Sequence, residues 1–116
     1  MKKVQVLLST MNRKDHDILD KMNINSEIIV INQNQLTNYE SFIHKNHNVF
    51  WYSYPDKGIG VSRNTALEKA NAEIILFADD DVTYNDDYVE IINSEFEKNK
   101  DADGIMLNYI VYAPFK

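Results

Sequence analysis

Residues 73–81 read Glu-Ile-Ile-Leu-Phe-Ala-Asp-Asp-Asp, an unbroken apolar stretch that ends in three carboxylates. A run this short and this apolar predicts a strand covered on both faces, as in a parallel sheet packed between helices. Glu27-Ile28-Ile29-Val30-Ile31 repeats the pattern, and Val4 to Leu8, Val49 to Tyr52 and Gly104 to Tyr112 supply three further apolar runs. Between them, Asp15 to Met22 predicts a short helix with Ile18, Leu19 and Met22 on one face. A second helix is predicted from about Val61 to Asn71. A third opens at Asn85-Asp86-Asp87 and turns Val89, Ile92 and Phe96 inward. Strands alternating with helices predict an α/β fold, a mostly parallel sheet flanked by helices, in one domain over residues 1–116.

In such sheets ligands bind beyond the carboxyl ends of the strands. Ser9 to Arg13, Asn32-Gln33, Lys57 to Arg63 and Asp79 to Asp81 all follow strands or lie just past them, so they are expected along one edge of the fold.

The acidic run is the most demanding of these segments. Like charges ~4 Å apart repel by about 1 kcal/mol in water and by several times that near a protein surface. Setting them after five apolar residues, Ile74 to Ala78, adds a desolvation cost that a cation would relieve. Continued as a strand, the run would alternate, with Asp79 and Asp81 on one side and Asp80 on the other. The two same-side residues would then stand about 6.6 Å apart. One carboxylate on a metal and the other on a ligand hydroxyl or a metal-bound water is the easier arrangement, and hard oxygen donors favour Mg or Mn. A solvated acidic turn is the plain alternative. An EF-hand loop starting at Asp79 is excluded, because Tyr84 occupies its required glycine position.

Gly58-Ile59-Gly60 precedes the second predicted helix and allows a ligand phosphate close to the backbone. Arg63, Ala66, Leu67 and Ala70 form a helical stripe that turns Arg63 inward, where an arginine needs an anionic partner. That partner is either Asp79 or Asp80, or a diphosphate held between them.

Taken together, these segments resemble the N-terminal half of the family-2 glycosyltransferases. Val4 to Arg13 is similar to the apolar strand leading into that family's Pro-Thr-Tyr-Asn-Arg. Lys57 to Ala66 is similar to its Asn-x-Gly-x-x-x-Ala-Arg-Asn segment, and Ile75 to Asp81 to its Leu-Asp-x-Asp run. The resemblance implies a Rossmann-like GT-A fold, transfer of a sugar from a nucleotide-diphosphate donor, UDP-linked first among them, and a divalent cation, Mn or Mg. It further implies that Thr10, Asn12 and Arg13 line a nucleoside pocket, and that Lys57, Gly60 and Arg63 lie beside the nucleotide. Asp79 and Asp80 would approach the ribose and diphosphate, while Asp81, with Asp79, would hold the metal. Ser9 and Met11 stand where the family has Pro and Tyr. Asn32 stands where it usually has a base-pairing aspartate, and offers a base both a donor and an acceptor. The family's acceptor-binding half and catalytic base are expected outside these residues, so the acceptor and the base go unassigned.

Two other functions compete. Asp79-Asp80-Asp81-Val82-Thr83 fits the Asp-x-Asp-x-Thr of haloacid dehalogenase-like phosphotransferases, with Asp79 as nucleophile, although that motif usually follows the first strand. A non-catalytic binding domain is the other.

Composition narrows the field. A net charge of −6 leaves no basic excess for a general nucleic-acid partner, and without cysteine there is neither a disulfide nor a thiolate site. No apolar run is long enough to span a membrane, so a soluble, cytoplasmic chain is expected, with peripheral docking at the inner membrane surface left open. His16, His44 and His47 are expected at the surface, and Trp51, Tyr52 and Tyr54 around the core, with Tyr54 in reach of the cleft. The last predicted strand is apolar on both faces, which points to association between copies through it.

Overall fold

A computed structural model describes residues 1–55 and 67–99. Their strands are β1 (Val4–Met11), β2 (Glu27–Gln33), β3 (Asn38–His44), β4 (His47–Tyr54) and β5 (Ile74–Ala78). Their helices are α1 (Ile18–Lys21) and α2 (Tyr88–Lys98), with residues 67–69 also helical. The strands form one sheet in the order β3-β4-β2-β1-β5, parallel throughout except for the β3–β4 hairpin.

Centrality follows from hydrophobicity. In β2 all residues from Glu27 to Asn32 are buried, as a strand with neighbours on both edges and cover on both faces requires. One face of the sheet packs Val6, Leu8, Ile28, Val30, Val49 and Trp51 against α1 and α2. The other gathers Leu7, Ile29 and Ile31 with Phe50, Tyr52, Tyr54, Ala70 and Ile75. Tyr88 is fully buried at the start of α2, and its hydroxyl accepts from the Asn25 N–H at 3.0 Å and meets Ser26 Oγ at 2.6 Å.

Three expectations change. β3 was not among the predicted strands: it is an edge strand of Asn, Tyr, Glu, Ser, Phe, Ile and His, with only alternate residues turned toward the protein. Its turn, Lys45-Asn46, has both residues at positive φ (47° and 67°), the geometry that matches strand twist in a two-residue hairpin. The helix expected from Asp15 contracts to Ile18–Lys21, because Asp15 to Asp17 form a separate turn in which Asp15 Oδ1 accepts from the Asp17 N–H. Ile18, Leu19 and Met22 are nonetheless buried as expected. The second helix ends before Asn71, whose N–H donates instead to Gln5 Oε1 at 3.0 Å. Residues 61–66 of that predicted helix and the predicted strand Gly104 to Tyr112 lie outside the described residues.

At the amino edge of the sheet, Gln5 donates to the buried Glu27 carboxylate, which also meets Lys3 Nζ at 3.0 Å. This polar anchor lies opposite the edge where the predicted site residues collect.

Candidate functional site

Thr10, Asn32 and Ser53 are register partners on β1, β2 and β4, so they stand side by side on one face near the carboxyl ends of those strands. Just beyond Thr10 the chain turns at Asn12, whose φ of 56° falls in the left-handed region that asparagine tolerates better than most residues. The Asn12 N–H donates to the Gln33 carbonyl at 2.7 Å, and the turn carries Arg13 back across the ends of β1 and β2.

Arg13 then connects three segments. Its main-chain N–H donates to Asn32 Oδ1 at 3.0 Å, and Asn32 Nδ2 donates to the Arg13 carbonyl at 3.0 Å and to Ser53 Oγ at 3.2 Å. Its side chain donates from Nε to Thr10 Oγ1 at 2.8 Å and from a terminal nitrogen to Asp80 Oδ2 at 3.1 Å. Thr10 Oγ1 donates in turn to the same Asp80 oxygen at 2.7 Å. A hydroxyl and a guanidinium thus share one carboxylate oxygen, which offsets part of the like-charge repulsion within the acidic run.

The acids themselves are arranged differently from the expected alternation. β5 ends at Ala78, and Asp80 and Asp81 lie in a turn. Asp79 and Asp81 are exposed and Asp80 half-buried, so water shields most of the charge that burial would have penalised. Past the turn the chain is fixed to the end of α1: Thr83 Oγ1 donates to the Lys21 carbonyl at 2.7 Å and the Tyr84 N–H to the Met22 carbonyl at 3.0 Å. Asn23 Nδ2 holds the Tyr84 carbonyl and Asp86 Oδ1. Burial pushes the Tyr84 hydroxyl pKa well above its ordinary value, and the nearby charge of Asp79 and then Tyr88 push it further.

Among the described residues no three His, Asp or Glu side chains gather into a closed cage for a metal ion. Asp80 is bonded to Thr10 and Arg13, and Asp79 and Asp81 are exposed carboxylates, the hard oxygen donors that suit Mg or Mn.

The other predicted residues divide. Thr10, Asn12, Arg13, Asn32 and Asp79 to Asp81 lie at one edge, as expected of them. Lys57, Gly60 and Arg63 lie outside the described residues. Asn32, expected to face a base, is 1% exposed, and its amide is turned onto Arg13 and Ser53. Ser53 went unnoticed in the sequence, where only a polar residue following Trp51-Tyr52 marks it. His16 is not a plain surface residue either. Its ring stacks on Phe42 at 4.4 Å, lies 4.6 Å from the Trp51 ring and places Nε2 3.1 Å from Glu40. His44 is also largely covered, 3.5 Å from Asp20. Trp51 is core. Tyr52 packs at a tilt against Tyr39, ring centroids 4.6 Å apart, with the Lys69 ammonium 4.3 Å from the Tyr52 ring centre.

A mostly parallel sheet with its polar residues linked across the carboxyl edge is a Rossmann-like α/β domain of the GT-A type. The sequence matches the glycosyl transferase family 2 profile over residues 8–113, and the chain belongs to that family. It is a glycosyltransferase domain by that membership. Neither the curated proteins nor the solved structures contain a significant match. Among the described residues no helix is long and apolar enough to cross a membrane.

Proposed function

We propose that this domain binds a nucleotide-diphosphate sugar, a UDP-sugar first among the candidates, and uses a divalent cation, Mn or Mg, in transferring the sugar to an acceptor. The observation that carries the reading is the Thr10–Arg13–Asp80 junction, which joins the loop after β1 to the acidic turn after β5 at the edge where α/β sheets take their ligands. In this reading Thr10, Asn12 and Arg13 flank the nucleoside. Asp79 and Asp80 face the ribose and diphosphate, and Lys57, Gly60 and Arg63 complete the nucleotide's surroundings. Arg13 gives the nucleotide a positive group whose position is set by its bond to Asp80. Asp81, with Asp79, would hold the cation, which supplies neutralisation of the charge that builds on the departing nucleoside diphosphate.

The phosphotransferase alternative gains nothing from the geometry. The threonine of its pattern, Thr83, is bonded back to the Lys21 carbonyl, and Asp79 is exposed just past the end of β5.

Calorimetric titration of UDP with and without Mn, repeated on Asp81→Ala, tests the proposal. Metal-dependent binding that the variant loses is expected. A folded chain that binds no nucleoside diphosphate in Mn or Mg overturns the reading.

A further inference from the structure

Asn32 treats Arg13 as a neighbouring strand would. A residue in a sheet has its N–H and its C=O bonded by the strand beside it. Here one side-chain amide does both, accepting from the Arg13 N–H and donating to the Arg13 C=O, each at 3.0 Å. The second amide hydrogen goes to Ser53 Oγ at 3.2 Å, which fixes the plane of the amide from the β4 side. Both donors of the carboxamide are engaged, and the residue is 1% exposed. Nothing of it is presented to the edge where a ligand arrives.

We propose that Asn32 is a positioning residue: it holds the Arg13 backbone so that the guanidinium stays on Thr10 and Asp80, and it takes no part in reading the nucleobase. The inference rests on the donor-site reading for its effect on binding, though not for the clamp itself. A carboxamide is the group that suits this task, because it is both donor and acceptor. An aspartate of the same shape could accept from the Arg13 N–H but would set a carboxylate against the Arg13 carbonyl. A serine would be too short to span both groups.

The two roles separate cleanly. A clamp acts on every donor through the same arginine, so losing it weakens all nucleoside diphosphates by a common factor and leaves their ranking unchanged. A base reader changes the ranking when its hydrogen-bonding pattern is altered.

The experiment combines amide hydrogen exchange with titration on the whole 116-residue chain. In the wild-type protein the Arg13 amide is expected to exchange slowly, like the neighbouring strand amides. In Asn32→Ala it is expected to exchange fast. Titration of UDP, GDP and CDP in Mn is expected to show all three weakened together in Asn32→Asp and Asn32→Ala, by about fivefold to twentyfold, the size expected for losing one or two buried hydrogen bonds. Fast exchange of Arg13 in the wild-type chain overturns the clamp without any variant, so a poorly folding variant does not shield the proposal. A changed ranking of the three nucleotides in Asn32→Asp overturns the exclusion of base reading. If the wild-type chain binds none of the three, the donor-site reading fails, and the clamp is judged on Arg13 exchange alone.

Discussion

Thr10 Oγ1 lies 2.7 Å from Asp80 Oδ2, although 70 positions separate the two residues. The parallel pairing of β1 with β5, with Leu8 opposite Ala78, brings the two strand ends together, and the hydroxyl closes the remaining gap. Because Thr10 also accepts from Arg13, this one oxygen organises the positive and negative groups of the edge at once.

Thr10→Val keeps the shape and β-branching of the residue and removes the hydroxyl. The variant is expected to fold with about 1 kcal/mol less stability, leaving Arg13 and Asp80 less firmly placed. UDP affinity in Mn should fall several-fold. Thermal unfolding and calorimetry on the same preparation check both effects, and unchanged affinity would remove Thr10 from the site.

Asp81 and Asp80 should respond differently. Asp81→Ala is expected to leave the unfolding midpoint within error of wild type while abolishing the effect of Mn on nucleotide binding, and EDTA should reproduce that loss in the wild-type chain. Asp80→Asn breaks the pair with Arg13, whose side chains are 30% and 36% exposed, so its cost in stability should stay below about 1 kcal/mol and shrink in high salt. Urea unfolding at two salt concentrations separates the variants.

Alkaline pH should destabilise the fold through its tyrosines. Burial raises the pKa of Tyr84 and of Tyr88 above the ordinary 10.0. In the unfolded chain these hydroxyls release their protons near pH 10, while in the folded protein they keep them. The folded state therefore binds more protons above pH 10, and stability falls as pH rises through that point. Below about pH 9 the two states are protonated alike at these residues, and they contribute no slope. Urea unfolding between pH 8 and 11 is expected to show the decline, and Tyr84→Phe to make it shallower.

His16→Ala removes a ring held between Phe42, Trp51 and Glu40. It should cost about 1–2 kcal/mol, since the contact fastens the segment after Arg13 to the β3–β4 hairpin. Trp51 is the only tryptophan, so its emission reports the change directly. An unshifted spectrum with an unchanged melting temperature would show that the ring contributes little.

The four parallel strands were legible as apolar runs, β2 and β5 showing no polar face. The expected cover on both faces holds for β2 and not for β5, an edge strand among the described residues with Phe77 48% exposed. β3 was not, since an edge strand with one solvated face reads as Asn-Tyr-Glu-Ser-Phe-Ile-His, and its turn lacks the glycine that usually marks a hairpin. The grouping of Thr10, Asn32 and the aspartates at one edge was legible from their places just past the ends of apolar runs. Their bonding was not. The helical stripe made Arg63 the expected partner of the acids or of a diphosphate, and it lies outside the described residues; Arg13, in a loop without periodicity, gave no sign that it turns back onto Asp80. Asn32 at the end of an apolar strand reads as a group facing ligand. Its burial and its bonds to Arg13 and Ser53 show it turned inward.

Both ends of the acidic turn are built in: Ala78 belongs to β5, and Thr83 and Tyr84 are bonded to the last residues of α1 and its cap. Asp79 to Asp81 are therefore held between two fixed ends. If the proposed cation binds there, it should order little additional chain, with the thermodynamic signature of exchanging water for carboxylate oxygens and a small heat-capacity change, instead of that of a coupled folding event.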